Sequence, residues 1–320
     1  MYKKLINILI FKLERLTLIY KWRKQSNNLY KRALRQKKCF FGPFLGEFGH
    51  LLGHNLPFVA HLYSKGVSIH YYGLEIHKPF FYSDNDKLLV EQYTGVRDFF
   101  SEHLPDCNSS QTPMDVSKAT QNFIEHARKS DVPFFDNLNS DYYLNFFRWW
   151  VLKKRFIKTY DLSLKYKTLD EDSCVIFPRK WNDQYTVKQL KNNGEVWDYQ
   201  KVALTASKHF DKIYVVGHPA FSYADFESFN NVEVILTDDN SVILEKCSNS
   251  KLIISQHSGS VYLGEYTNCQ VLIIYKGSSV IGDIEITDRF KKGLGMKFDF
   301  NYAFDLQQIE DYLINFKQRI

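Results

Sequence analysis

The sequence predicts an α/β protein with two halves, each built around a parallel β-sheet. Three observations favour this fold class. Strand, polar turn, helix and strand follow one another in residues 251–276, the same order occurs in residues 39–72, and short apolar strands alternate with helices from Ser173 onward. This order is typical of parallel βαβ units with short connections. The length of 320 residues is sufficient for two such domains.

The N-terminal segment is predicted to be a basic amphipathic helix. Residues 1–38 hold twelve of the 42 Lys and Arg residues and one of the 36 acids, so the other 30 basic and 35 acidic residues leave a net charge of −5 on the rest of the chain. Lys12, Glu14 and Arg15 interrupt its apolar stretch too early for it to span a bilayer, and no small-residue cleavage site follows. The apolar residues recur at helical spacing: Tyr2, Leu5, Ile6, Leu9, Leu13, Leu16 and Tyr20.

Such a helix favours an anionic membrane surface, which residues 1–24 would contact with Trp22 at the interface. The alternative is a helix that packs on its own domain and leaves its lysines in solvent. A nucleic-acid partner is not predicted, because the basic residues interleave with Leu and Ile. We therefore expect a cytoplasmic protein that is peripheral on the inner face of the cell membrane.

The cysteine pattern argues against a disulfide scaffold and against a zinc site. Five cysteines are scattered along the chain and never form a CxxC pair: Cys39, Cys107, Cys174, Cys247 and Cys269. This pattern indicates reduced thiols in a cytosolic compartment.

The first half opens with a predicted strand, Cys39–Phe44, that leads into a glycine-bearing loop, Gly46–His50. A helix follows and ends near Lys65, and residues 67–72 form the returning strand. Glu47 in this loop is a candidate general base, with His50 beside it. The alternative is that Glu47 is an acid favoured in a first helical turn. His50 and His54 have the spacing of a metal pair but no third ligand, so no metal is predicted there.

The middle of the chain gives weaker signals. Residues 79–82 read as a strand before Asp84-Asn85-Asp86, a pattern that can hold a divalent cation but is also ordinary turn chemistry. Residues 116–129 and 140–157 have the spacing of amphipathic helices. Residues 158–172 are polar and without a period, so the domain boundary is placed within them.

The second half is predicted to be a doubly wound parallel sheet. Its strands are Cys174–Phe177, Lys212–Val216, Val232–Leu236, Leu252–Ile254 and Val271–Ile274. Its helices are Trp197–His209, Ser241–Cys247, Val261–Thr267 and Asp305–Phe316.

The loops that follow these strands carry candidate ligands for a diphosphate. Arg179 and Lys180 follow the first strand, His218 follows the second, and His257, Ser258, Gly259 and Ser260 follow the fourth. Because the carboxyl ends of parallel strands share one edge of a sheet, these groups should converge there. Cationic side chains and the N–H groups of a helix start suit an anion. The alternatives are solvated cations and an ordinary Ser258 N-cap.

With these features the chain resembles glycosyltransferases of the GT-B architecture, and in particular bacterial enzymes that build surface polysaccharides. The resemblance rests on the Gly46–Gly49 loop, on Pro178-Arg179-Lys180 and on His257–Ser260 with Glu265 about one turn later. It implies two Rossmann-like domains that face a cleft, a nucleotide-sugar donor in the second half and an acceptor in the first. It also implies that no metal or other cofactor is needed.

Carried over position by position, the resemblance assigns roles to individual residues. Glu47 is placed as the acceptor-activating base, and Glu265 as a contact to a sugar or ribose hydroxyl. The donor phosphate contacts are Arg179, Lys180, Ser258, Gly259 and Ser260. The implied domains are the basic helix (1–37), the acceptor domain (38–165), the donor domain (166–302) and a C-terminal helix packing across the junction (303–320).

The expected reaction is transfer of a sugar from a nucleotide-diphosphate or monophosphate donor to a hydroxyl of a growing cell-surface polysaccharide or lipid-linked acceptor. Two alternatives stay open. A sugar-nucleotide epimerase would show the same donor loops but has no need of a membrane-seeking N-terminus. A non-catalytic membrane-surface protein would keep that N-terminus but has no need of the donor loops.

Overall fold

The structure is a computed structural model that describes residues 2–46, 48–83, 86–99, 112–137, 161–178, 197–219, 222, 226, 230–256, 258–275 and 300–319. Within these residues the chain forms two parallel sheets, one in each half of the sequence. The predicted α/β class with two parallel sheets is therefore confirmed.

The first sheet has four parallel strands in the order β3-β2-β1-β4. They are β1 (Lys38–Phe44), β2 (Ser68–Leu74), β3 (Gln92–Val96) and β4 (Phe134–Asp136). The helical segments of this half are α1 (Tyr2–Gln36), α2 (Phe48–His50), a π-helical turn (Leu51–Asn55), α3 (Leu56–Ser64), a 3₁₀ helix (Glu75–Phe81) and α4 (Met114–Lys129).

The second sheet has six parallel strands in the order β10-β9-β8-β5-β6-β7. They are β5 (Ser173–Phe177), β6 (Lys212–Gly217), β7 (Val232–Leu236), β8 (Leu252–Gln256), β9 (Gln270–Ile274) and β10 (Asn301–Ala303). The helical segments are α5 (Ser163–Tyr166), α6 (Tyr199–Ser207), α7 (Asn240–Asn249), a 3₁₀ helix (Gly259–Tyr262), α8 (Leu263–Thr267) and α9 (Leu306–Lys317).

Both sheets are doubly wound. In the first sheet the strand order reverses between β1 and β4, and in the second it reverses between β5 and β8. Ligands of open α/β sheets bind outside the carboxyl ends of the strands at such a reversal point. The fold therefore has one candidate binding position in each half, after β1 and after β5 and β8.

The two sheets share a hydrophobic core. One cluster of buried side chains contains Phe41 and Tyr71 of the first sheet together with Ile253 and Ile273 of the second. A second cluster lies on the opposite face of the second sheet, under α6 and α9, and a third lies between the first sheet and α4. The halves are thus joined by apolar contacts as well as by the chain.

The last third of α1 packs on its own domain. Ser26 and Ala33 are fully buried, and the Tyr30 hydroxyl lies 2.8 Å from Nε2 of His61. Leu16 and Tyr20, by contrast, are 62% and 69% exposed. In the part of the chain that the structure describes, no helix has the combined length and apolarity that crossing a membrane requires.

Three local predictions differ from the structure. Residues 79–82, expected as a strand, lie at the end of the 3₁₀ helix, whose buried Phe80 and Phe81 gave an apolar run without strand geometry. Residues 158–172, expected as a linker, include the helix α5. They are also fixed to α7, because the Asn249 side-chain oxygen accepts hydrogen bonds from the backbone amides of Thr168 and Leu169, at 2.8 and 2.9 Å.

The C-terminal helix is the third difference. It was expected across the domain junction, but α9 packs beside α6 on the second sheet. Ile309, Leu313 and Phe316 are buried in that cluster, and the His209 ring nitrogen lies 2.9 Å from a Glu310 oxygen. The apolar face of this helix was predicted correctly. It packs beside α6 on the same face of the second sheet.

Candidate functional site

The carboxyl edges of the two sheets meet. Gly49, after β1, lies so close to the chain after β8 that a Cβ there would be 3.0 Å from the Cα of Gly259. Asn240 at the start of α7 donates a hydrogen bond of 2.5 Å to the carbonyl of Ile76, which follows β2. The two reversal points identified above therefore belong to one region of the molecule.

The strand register places the ends of the two strands that lead into predicted donor loops side by side in the second half. β5 pairs with β8 so that Phe177 lies opposite Ser255. Phe177 is followed by Pro178 and the Arg179-Lys180 pair, and Ser255 is followed by the segment that contains Ser258. Since neighbouring strands are about 4.8 Å apart, the two chain segments leave the sheet at adjacent positions.

Three serine hydroxyls form a cluster at the end of β8, which we call the serine turn (Ser255, Ser258 and Ser260). The Ser260 hydroxyl lies 2.6 Å from that of Ser255 and 2.6 Å from that of Ser258. Ser258 precedes the 3₁₀ helix in an extended conformation, but its hydroxyl makes no capping hydrogen bond. Ser258 thus occupies the N-cap position, but its hydroxyl bonds to a neighbouring serine rather than to a backbone amide of the helix.

In the first half, after β1, the helices α2 and α3 are separated by the π-helical turn. Pro57 at the start of α3 has no amide hydrogen, and its ring opposes the carbonyl four residues earlier, so a wider turn is favoured at this point. Asn55 ends the turn and donates a side-chain hydrogen bond of 3.2 Å to the carbonyl of His50. The His50 side chain, a predicted catalytic residue, is exposed.

Asn137 connects this turn to the other side of the reversal point. It follows β4, its side-chain amide donates to the Asn55 side chain at 2.8 Å, and its backbone amide donates to the carbonyl of Gly42 at 3.1 Å. Asn55 and Asn137 are 0% and 8% exposed. They hold the segment that begins at Gly49 against the end of the first sheet.

The helix after the serine turn packs on the π-helical turn. Tyr266 is buried, and its hydroxyl donates a hydrogen bond of 2.6 Å to the carbonyl of Leu52. A Cβ at Gly53 would be 3.5 Å from the ring of Tyr262, whose pKa is raised to about 12 by burial. Glu265, predicted to contact a sugar or ribose hydroxyl, is only 3% exposed in this packed region.

His218, a predicted donor contact, lies against a residue of the other half. It follows β6, and its Nε2 is 3.2 Å from Oδ2 of Asp98, which follows β3. His77 is buried nearby; burial lowers its pKa to about 4, although the charge of Asp98 acts in the opposite direction. This cluster is a further contact between the carboxyl edges.

Several predicted positions lie outside the described residues. They are Glu47, Arg179, Lys180 and His257 among the site residues, and Asp84 and Asn85 of the possible metal motif. Of the predicted site residues, the structure places Ser258, Gly259 and Ser260 together, with His50 on the facing segment and His218 farther along the edge.

The described residues contain no group of three or more His, Cys, Asp or Glu side chains arranged to hold a metal ion. Four cysteines within them are free thiols and buried: Cys39, Cys174, Cys247 and Cys269. Burial raises the pKa of these thiols, so they are poor nucleophiles.

Sequence reasoning missed Asp98, His77, Asn55 and Asn137. Asp98 and Asn137 follow β3 and β4, two strands that were not recognised in the sequence. The rule that loops after strands carry ligands would have selected both residues once those strands were known. Asn55 had no such signal, because its role depends on the local π-helical geometry.

Comparisons with known proteins agree with this fold. No family model and no curated protein matches the sequence. The chain is similar to the solved structure of the E. coli heptosyltransferase WaaC with ADP, with a TM-score of 0.53 and 11% identity over 88% of this chain and 99% of that one. A family 9 glycosyl transferase from Veillonella parvula matches with a TM-score of 0.50 and 11% identity, over 88% of this chain and 89% of that one. The resemblance to GT-B glycosyltransferases is thus confirmed as a likeness of fold.

Proposed function

We propose that the protein is a glycosyltransferase that binds a nucleotide-sugar donor at the carboxyl edge of the second sheet and an acceptor at that of the first. The observation that carries the proposal is the position of the serine turn at the reversal point, beside the strand that leads into Arg179 and Lys180. The E. coli heptosyltransferase of similar fold was solved with ADP and with an ADP-heptose analogue, so a nucleoside diphosphate is the ligand class to test first.

The proposed donor contacts use hydroxyls and cations. Ser258 and Ser260 offer hydroxyl donors that now bond to each other, and the first N–H groups of a helical segment lack intrahelical acceptors. Arg179 and Lys180 would place positive charge on the same phosphates. These groups would stabilise the charge that develops on the departing diphosphate, so the proposed mechanism requires no metal ion.

The proposed acceptor side begins at Glu47. It stands between β1 and Gly49, and Gly49 is in contact with the chain at Gly259. A carboxylate at this point would be next to the donor phosphates, where it could take the proton from an acceptor hydroxyl as that oxygen attacks the anomeric carbon. The exposed His50 is one turn further along the same segment and would contact the acceptor.

The exposed residues of α1 fit the proposal that the acceptor is lipid-linked. Leu16, Leu18 and Tyr20 are exposed, and Lys21 and Lys24 are exposed beside them. Apolar and basic side chains together favour an anionic membrane surface. We therefore propose that residues 1–24 hold the enzyme at a membrane and that the packed residues 26–36 fix that helix to the acceptor domain.

Donor binding is tested by thermal-shift titration with ADP, GDP, UDP, CDP and TDP. One of them should stabilise the protein, because a ligand that binds only the folded state shifts unfolding. Ser258→Ala combined with Ser260→Ala should weaken that binding at least about tenfold, since hydrogen bonds to charged groups contribute about 1.5–3 kcal/mol each. Ser248→Ala is the matched control, because its buried hydroxyl has no hydrogen-bond partner among the described residues. No stabilisation by any member of the panel would refute the donor site.

Turnover separates the proposed transferase from the two alternatives. A transferase consumes the nucleotide sugar only when an acceptor is present, an epimerase converts it without an acceptor, and a non-catalytic protein does neither. Glu47→Gln should leave nucleotide binding intact and lower turnover at least about a hundredfold. Glu91→Gln is the control, because Glu91 is an exposed acid just before β3 and lies at the amino end of that strand, away from the carboxyl edge. Unchanged turnover in Glu47→Gln would remove Glu47 from this role.

Membrane binding is tested by sedimentation with vesicles of neutral and of anionic lipid. Removal of residues 1–24 should abolish binding to anionic vesicles and keep the domain folded, because the buried Ser26 and Ala33 and the Tyr30–His61 contact lie in the part of α1 that is kept. A full-length variant with Leu16→Gln and Tyr20→Gln should bind more weakly than the wild type, whereas Tyr63→Gln, on α3, should not. Undiminished binding by the truncated protein would refute the anchor.

A further inference from the structure

The contact between Asp98 and His218 is the polar end of the junction between the two halves. The residues are 120 positions apart, and each follows a strand of a different sheet. Their side chains are 10% and 19% exposed, and the oxygen and nitrogen are 3.2 Å apart. A largely buried carboxylate of the first half therefore has its partner in the second half.

Backbone hydrogen bonds fix the position of His218 at the start of its turn. The Ser222 amide donates a hydrogen bond of 3.0 Å to the His218 carbonyl, and the Thr237 amide donates one of 2.9 Å to the carbonyl of Gly217. A Cβ at Gly217 would lie 1.8 Å from the Ser222 hydroxyl oxygen, so this turn requires glycine. The turn thus fixes the backbone of His218, and Asp98 contacts Nε2 at the far end of its ring.

The first half offers no equivalent support for Asp98 from His77. Burial keeps that imidazole neutral near pH 7, so it brings no positive charge to the carboxylate. The neighbouring Arg97 makes hydrogen bonds of 2.9 and 3.3 Å to Asp115. The contact between Asp98 and His218 thus links this part of the first half to the second half.

The position along the sheet edge gives this pair a role in the proposed donor site. β6 is two strands away from β8, so His218 and the serine turn are separated by about 10 Å of sheet edge, with the end of β5 between them. His218 is too far from the serine turn to share one phosphate with it. It can instead contact the part of the donor that extends from the phosphates along this edge.

We infer that Asp98 is a positioning residue of the proposed donor site: it belongs to the acceptor half, holds His218 of the donor half, and so makes donor binding depend on the closed junction. The positioning role rests on the proposed function. The coupling between the halves does not, because it follows from the contact itself.

The coupling is tested by backbone hydrogen exchange on Asp98→Asn, His218→Gln and the double variant. Each single change should raise exchange at least about threefold in both the end of β3 and the end of β6, and the double variant should show no further rise, as expected for two residues that act through one contact. Asp115→Asn is the control, because it removes the partner of Arg97 without touching the second half. Faster exchange confined to the mutated half would overturn the coupling.

The positioning role is tested by the affinity of the nucleoside diphosphate selected from the panel above. Asp98→Asn should raise its Kd about fivefold in the wild-type background and leave it unchanged in the His218→Gln background. Asp98→Glu should restore part of the loss. An equal effect in both backgrounds would refute positioning through His218. If no nucleoside diphosphate binds, the donor site and the positioning role both fail, while the exchange result still decides the coupling.

Discussion

Two of the contacts between the halves are chemically opposite. Around Leu52 and Tyr266 the contact is buried and mainly apolar: the ring of Tyr262 lies beside Gly53, and the one hydrogen bond given above runs from the Tyr266 hydroxyl to the Leu52 carbonyl. Between Asp98 and His218 the contact is an ion pair or hydrogen bond with a second imidazole, His77, buried beside it. Both contacts join a segment of the first half to a segment of the second.

The difference bears on how each contact responds to pH and to water. Burial of apolar surface is nearly independent of pH and salt, whereas a charged pair depends on protonation and gains little once water enters. The apolar contact therefore suits a fixed junction. The polar contact suits a position where a substrate must enter and leave, and the predictions below test this contrast.

The largest expected effect is at the apolar contact. Tyr266→Ala should lower the free energy of unfolding by about 3–5 kcal/mol, because it removes a fully buried aromatic ring and leaves a cavity between the halves. Urea denaturation at pH 7 measures this change. Tyr63→Ala, at a 40% exposed tyrosine on α3, should cost less than about 0.5 kcal/mol. A loss below about 1 kcal/mol for Tyr266→Ala would show that this contact does not join the halves.

The buried imidazole of His77, beside the polar contact, should make stability depend on pH. Burial lowers the pKa of His77 from 6.5 to about 4, so between these values the unfolded chain binds a proton that the folded chain does not. Stability is then fully present above pH 6.5 and is lost as the pH falls, by roughly 2 kcal/mol at pH 5.

The variant His77→Gln isolates this effect. Its free energy of unfolding, measured in urea at pH 7, 6 and 5, should fall less steeply with acid than that of the wild type. Tyr266→Phe should keep the wild-type slope, because it changes only the apolar contact. Identical slopes in the wild type and His77→Gln would exclude His77 as the source of the pH dependence.

The second sheet was predicted from the sequence almost strand by strand, and the first was not. Strands such as Val271–Ile274 are continuous apolar runs because both of their faces are buried, and this pattern is visible without the structure. β3 reads QYTGV and is a partly exposed edge strand, and β4 has only three residues. Neither carries enough buried surface to leave a pattern in the sequence.

The candidate site divides in the same way. The serine turn could be predicted because its residues are consecutive and follow an apolar strand. The Asp98–His218 pair could not, because its members are 120 residues apart and meet only through the arrangement of two sheets. The predicted roles of Glu47, Arg179, Lys180 and His257 remain predictions, to be decided by the turnover and binding experiments.

The smallest expected effect separates hydrogen bonding from burial within the shared core. Tyr266→Phe should cost about 1 kcal/mol, because the Leu52 carbonyl loses the hydrogen bond from the tyrosine hydroxyl. Tyr71→Phe, at an equally buried tyrosine whose hydroxyl has no hydrogen-bond partner among the described residues, should cost nothing or stabilise the protein. Because the two variants lose the same atom, the difference between their urea midpoints measures that hydrogen bond. Equal midpoints would mean that the apolar contact is held by ring packing alone.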